Sequence, residues 1–131
     1  MANSKEPQKR SFVRQDVILP VKYRKYTGNP VFESGFNVGR TFNLSSGGMK
    51  LTVSKPLPVG EKLDMELELD ANMKPYIVGL TLGGEDTEID GITHRIEKIN
   101  FVGLDPDIQE KIMKFIFDYQ RKVFRKDKKN S

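Results

Sequence analysis

Leu63-Asp64-Met65-Glu66-Leu67-Glu68-Leu69-Asp70 alternates an apolar residue with an acidic one at every step. A repeat of two is that of an extended strand, whose side chains point to opposite faces in turn. Leu63, Met65, Leu67 and Leu69 share one face, and the four acids share the other. That is the pattern of an antiparallel strand with a core side and a watered side. The same alternation recurs on either side of it. Val17, Leu19, Val21 and Tyr23 line one face, with Lys22 and Arg24 on the other; Met49, Leu51 and Val53 alternate with Lys50, Thr52 and Ser54. A further extended run spans Phe36–Leu44. Thr27-Gly28-Asn29-Pro30, Ser45-Ser46-Gly47-Gly48 and the Pro56, Pro58, Gly60 cluster supply turns, because Gly and Asn tolerate positive φ and Pro ends a ladder. Later extended pieces fall at Tyr76–Leu82, Glu88–Ile96 and Ile99–Leu104, with Gly83-Gly84-Glu85-Asp86 as the expected turn.

The chain then changes period. Asp105-Pro106-Asp107 offers a carboxylate cap, a proline for the first helical position and an acid for the first turn. Ile108, Ile112, Met113, Ile116, Tyr119, Val123 and Phe124 follow at helical spacing. Short strands with Gly/Pro turns, followed by one amphipathic helix, predict a small barrel or sandwich whose open side the helix covers.

The 131 residues make one domain, expected over 9–124, with a flexible N-terminal tail at 1–8 and a basic tail at 125–131. The absence of Cys excludes a disulfide scaffold, a thiol nucleophile and Cys-ligated zinc, and a single His excludes a multi-histidine metal centre. No apolar run approaches a membrane span, and Met1–Gln15 lacks the apolar core of a signal peptide, so the expected location is the cytoplasm. The net charge of +4 conceals a split. Residues 1–30 hold seven Lys/Arg against two acids, residues 31–110 seven against fourteen, and residues 111–131 eight against two. Basic ends around an acidic middle suggest an anionic partner.

Catalytic chemistry finds little support. His94 stands alone beside Arg95, with no partner to make it a base. Ser45 and Ser46 lie in a glycine loop without the Gly-x-Ser-x-Gly spacing of a nucleophile elbow. The expectation is a binding protein without cofactor, not an enzyme. Two constellations could bind a ligand. Arg10 and Arg14 are spaced so that two guanidinium forks can converge on one phosphate or on the O6/N7 edge of guanine. Asn43-Leu44-Ser45-Ser46-Gly47-Gly48 joins two strands by a loop where Gly admits close approach and Asn and Ser supply short polar groups.

Taken in this order, Arg-x-x-x-Arg and Asn-x-Ser-x-x-Gly resemble the double signature of PilZ domains. Ile18–Tyr23 is similar to that family's first strand, Leu57–Glu61 to its turn into the acidic strand, and Phe101–Pro106 to its close. The resemblance covers about Lys9 to Phe117. It implies a six-stranded antiparallel β-barrel with a C-terminal helix that binds cyclic di-GMP in bacterial cytoplasm. The expected consequence is that the N-terminal arm holding Arg10 and Arg14 changes conformation on binding and signals to a downstream protein. It gives Arg10 and Arg14 the guanine edges and phosphates, Asn43 a guanine Watson–Crick edge, and Ser45, Gly47 and Gly48 the wall behind the ring. Arg95, placed outward by strand parity, is the candidate to pack on a guanine. Asn43 stands where Asp is commoner in the family, and an amide oxygen is the weaker acceptor. Two other readings compete: a PilZ-like interaction adaptor that binds no nucleotide, and a small basic nucleic-acid binder. The acidic strand argues against the last.

Overall fold

The computed structural model describes residues 13–130, and in it the alternating segments become six strands. These are β1 (Pro20–Lys25), β2 (Asn37–Leu44), β3 (Gly48–Val53), β4 (Lys62–Leu67), β5 (Tyr76–Ile89) and β6 (Ile92–Phe101), followed by helix α1 (Pro106–Asn130). Every neighbouring pair is antiparallel, and β1 bonds to both β2 and β4. The sheet therefore closes as β1-β2-β3-β6-β5-β4, which decides for a barrel where the alternation leaves barrel or sandwich open, with the six strands that the PilZ resemblance implies. Closure removes the free strand edges an open sheet would leave. The interior is filled by the apolar faces read from the sequence, with Val21, Tyr23, Leu51, Leu63, Met65 and Leu67 all buried. Asp105 caps α1 as expected, its Oδ1 accepting the Asp107 N–H at 2.8 Å. Ile112 and Ile116 join the barrel cluster, with Ile108, Phe115 and Tyr119 packed against it.

Four expectations are corrected. Gly83–Asp86 is not a turn, because β5 runs through it. The reversal comes at Asp90-Gly91, where both residues have positive φ (54° and 79°) between the paired Ile89 and Ile92. That is the two-residue hairpin turn whose twist matches its strands. Glu97–Asn100 consequently lies inside β6. Second, the acids of β4 do not all face water: Asp64 is completely buried. Arg24 Nε, the Thr27 N–H and hydroxyl, the Gly28 N–H and the Tyr76 hydroxyl all donate to its carboxylate, over 2.6–3.2 Å. The chain after β1 folds over that face, with Arg24 against the Phe32 ring and Lys22 against Phe36. Third, Met113 and Val123 are exposed rather than on the core stripe. Met113 lies about 100° round the helix from Ile112, and Phe115 packs against the core instead. Fourth, α1 continues to Asn130, so 125–130 are helical rather than a tail. The side chain of Phe124 lies outside the described part, as do Ser131 and the 1–8 tail.

Two bulges decide what faces outward. In β2 the register shifts between Thr41 and Asn43, so Phe42 and Asn43 both lie outward between the buried Thr41 and Leu44. In β5 it shifts between Thr81 and Gly83, and Leu82 is the extra, exposed residue. An unpaired residue of this kind re-aims the side chains beside it.

Candidate ligand-binding site

The segment before β1 is held against β2 by backbone and side-chain bonds. Gln15 exchanges two N–H···O bonds of 2.9 Å with Leu44. Buried Thr41 donates its hydroxyl to the Val17 carbonyl and accepts the Leu19 N–H at 2.9 Å. These bonds bring Arg14 and Val13 into the lining of a cavity of about 820 Å³ on the outer wall of the barrel, a size that suits a small-molecule ligand.

Asn43, Ser45, Gly47 and Gly48 line the same cavity, so five of the sequence candidates come together. Their parts differ from those the motif alone suggests. Ser45 is buried and organises the turn: its Oγ accepts the N–H groups of Gly47 and Gly48 and donates to the Gly48 carbonyl, each at 3.2 Å. Those two amides are thus already partnered within the protein. Neither glycine is among those with positive φ. Gly48 lacks a side chain for packing, since a Cβ there would collide with the Ile99 carbonyl oxygen across the β3–β6 ladder. The Gly47 carbonyl accepts the Phe101 N–H at 3.0 Å, which stitches the turn to β6. Asn43, aimed outward by the β2 bulge, accepts the Lys50 N–H on Oδ1 at 3.2 Å. Its amide hydrogens have no protein acceptor among the described residues.

Arg10 lies outside the described residues. Arg95 is described, and the structure does not bring it to the cavity. It pairs with Val53 and shares the face of Glu97 and Ile99, whose partners Leu51 and Met49 belong to the core. With no turn at 97–100, the parity places Arg95 on the inner side, where Nε bonds the buried Glu97 carboxylate at 2.8 Å. Glu97 also accepts the Leu57 N–H at 3.0 Å, and Arg95 reaches Asp86 at 3.6 Å.

The outward positions of β6 belong instead to Lys98 and Asn100, and both line the cavity with Lys50 and Leu82. Lys50 was legible as the polar face of β3. Lys98 and Asn100 could be assigned only by recognising Asp90-Gly91 as the hairpin turn, which sets the register of β6. Leu82 becomes a wall through its bulge. Among the described residues the site combines three cations, Arg14, Lys50 and Lys98, with amides, a tight backbone turn and an apolar side, and no carboxylate lines it. Such a surface is chemically suited to a ligand with anionic and planar polar parts. Among the described residues no cluster of His, Asp and Glu could hold a metal, and no helix is long and apolar enough to cross a membrane.

A PilZ domain model matches residues 8–118. The chain belongs to the PilZ family. Among solved structures, it resembles the "PilZ domain with c-di-GMP of YcgR from Escherichia coli", with a TM-score of 0.71 and 17% identity over 93% of this chain and 99% of that one. It also resembles the K. pneumonia MrkH–c-di-GMP complex, at TM-score 0.69 and 15% identity over 89% of this chain and 54% of that one. The Bacillus subtilis inhibitor of motility (MotI/DgrA) matches at TM-score 0.64 and 18% identity, over 88% and 52%. The PilZ chain thus spans about half the length of the latter two. No curated protein matches the sequence.

Proposed function

We propose that this PilZ domain binds cyclic di-GMP in the cavity between Arg14 and the Ser45–Gly48 turn. One observation carries the reading: the cavity gathers Arg14, Asn43 and the glycine turn from the two family motifs and, among the described residues, contains three cations and no acid. Family membership and the c-di-GMP named with the E. coli and K. pneumonia structures support it. Guanidinium forks suit the two phosphates and the O6/N7 edges of the bases. Asn43, with one lone pair committed to Lys50, retains amide donors for a guanine O6 and oxygen capacity for its N–H groups. The Ser45-organised turn is a preformed wall, which lowers the ordering cost of binding.

In this reading Arg14 anchors the ligand beside the Gln15–Leu44 bridge, and Arg10 engages the same ligand from further along the arm. Binding changes the conformation of this arm, which then presents a different surface to a partner protein. The activity is recognition, with no bond made or broken. Isothermal titration with cyclic di-GMP tests it. Binding by the wild type, and its loss in Arg14→Ala at an unchanged Tm, is the expected result. A wild type that takes up no heat would support an adaptor without nucleotide, whose contact surface would include the exposed Met113 and Phe117 of α1.

A further inference from the structure

Four positions cross the outer wall in one row: Asn43 on β2, Lys50 on β3, Lys98 on β6 and Gly83 on β5, each the ladder partner of the next. Lys50 and Lys98 are directly opposite each other, with Cα atoms about 5 Å apart by strand geometry. Like charges so placed destabilise a ladder. The described strands carry three other lysines, and each has a partner. Lys22 and Lys25 pair with Glu66 and Glu61 at 3.6 Å, and Lys62 lies 4.5 Å from the centre of the Tyr26 ring. Among the described residues Lys50 and Lys98 have neither carboxylate nor ring. The next position in the row, Gly83, has no side chain and a φ of 113°, so this ladder partner offers the pair no counter-charge. On their other side Asn43 is neutral. The barrel thus keeps two adjacent, uncompensated ammonium groups on the floor of a cavity, although acids are plentiful elsewhere on its strands.

We infer that Lys50 and Lys98 form a phosphate clamp, a subsite that holds one phosphodiester of the bound dinucleotide on the barrel wall, in the cavity that Arg14 also lines. The inference rests on the cyclic di-GMP reading above and adds two contacts that neither family motif contains. Two ammonium groups a strand spacing apart can each donate to one phosphate, and the anion removes their mutual repulsion. The ligand is then fixed from two sides, by the wall through Lys50 and Lys98 and by the arm through Arg14. The clamp is present before the arm engages, because its lysines belong to paired strands.

The test is titration of cyclic di-GMP into wild type, Lys50→Gln, Lys98→Gln, the double Gln variant and the double Arg variant, with Tm measured for each without ligand. Each Gln substitution is expected to weaken binding roughly tenfold, as loss of one charge-assisted bond to phosphate does. Tm should stay level or rise, since repulsion across the ladder is relieved. The double Arg variant should bind close to wild type, and added salt should weaken wild type more steeply than the double Gln variant. Wild-type affinity in the double Gln variant would overturn the clamp alone, as would a fall in Tm that accounts for the lost binding, or salt slopes that do not differ. Absence of binding by the wild type would instead overturn the nucleotide reading, and the clamp with it.

Discussion

Asp64→Asn would test whether a single buried carboxylate holds the chain after β1 onto the barrel. The carboxylate is fully buried and accepts five hydrogen bonds, three on Oδ2 (Arg24 Nε, Thr27 N–H and Thr27 hydroxyl) and two on Oδ1 (Gly28 N–H and Tyr76 hydroxyl). Burial alone would raise its pKa, but the bonds from Thr27, Tyr76 and Arg24 outweigh that and hold it down to about 2, against 3.8 for a free side chain. An asparagine retains one oxygen and turns an NH₂ group toward at least two donors, so no orientation satisfies the set. Loss of the ionised partner of Arg24 together with an unsatisfied donor should cost about 3 kcal/mol at neutral pH. The folded pKa is depressed, so the ionised carboxylate stabilises the fold above the unfolded value and ceases to do so as the pH falls through the folded one. The gap between wild type and variant should therefore be widest at neutral pH, narrower by about 1 kcal/mol at about pH 3 and by about 2 kcal/mol near pH 2. Urea unfolding across that range reads both quantities. Asp64 is not part of the cavity lining, so the folded variant should bind cyclic di-GMP as wild type does at neutral pH. A gap under 1 kcal/mol, or one constant with pH, would refute the claim that this charge is held by the network described.

Three further outcomes test the architecture around the site. Thr41→Val removes a buried hydroxyl that bonds Val17 and Leu19, and should cost about 2 kcal/mol in unfolding experiments. It should also weaken cyclic di-GMP binding, because the segment carrying Arg14 loses an anchor; undiminished affinity would show that the Gln15–Leu44 bridge suffices. Gly48→Ala forces a Cβ against the Ile99 carbonyl and should lower stability by about 2 kcal/mol, with shifts at Phe101 and Asn100 in amide NMR spectra. A silent substitution there would mean that β3 and β6 lie further apart than described. Gly91→Ala meets no neighbouring atom, yet φ is 79°, so about 1 kcal/mol of backbone cost is expected in Tm measurements, without change in ligand affinity.

Much of the barrel can be read from the chain because alternation is a local property. Each of Leu63–Leu69, Met49–Val53 and Val17–Tyr23 needs only its own residues to declare a buried face, and Asp105-Pro106-Asp107 needs only its own to start a helix. The two binding motifs are equally local, and Arg14, Asn43, Ser45, Gly47 and Gly48 are named from them without knowledge of the fold. Register is different. Asp90-Gly91 is a strong hairpin signal in its own right, but Gly83-Gly84 competes with it. Only pairing with β6 shows that the glycine pair lies within a strand, kinked by a bulge at Leu82. A shift of register by one residue exchanges the two faces of a strand, which is why Arg95 turns inward to Glu97 while Lys98 and Asn100 turn outward to the cavity.

A run of extended segments, a capped helix and a pair of motifs that resemble the PilZ signature are legible in the sequence, all through patterns a few residues long, but the number of strands is not: Glu88–Ile96 and Ile99–Leu104 read as separate pieces, and Ile92–Phe101 form one strand. Tertiary structure alone decided which lysines oppose one another, that Asp64 is buried among donors rather than wetted, and that the amides of Gly47 and Gly48 are occupied by Ser45. Those facts depend on which strand lies beside which and in what register. Closing the barrel fixes that for all six strands at once, whereas no single segment contains it.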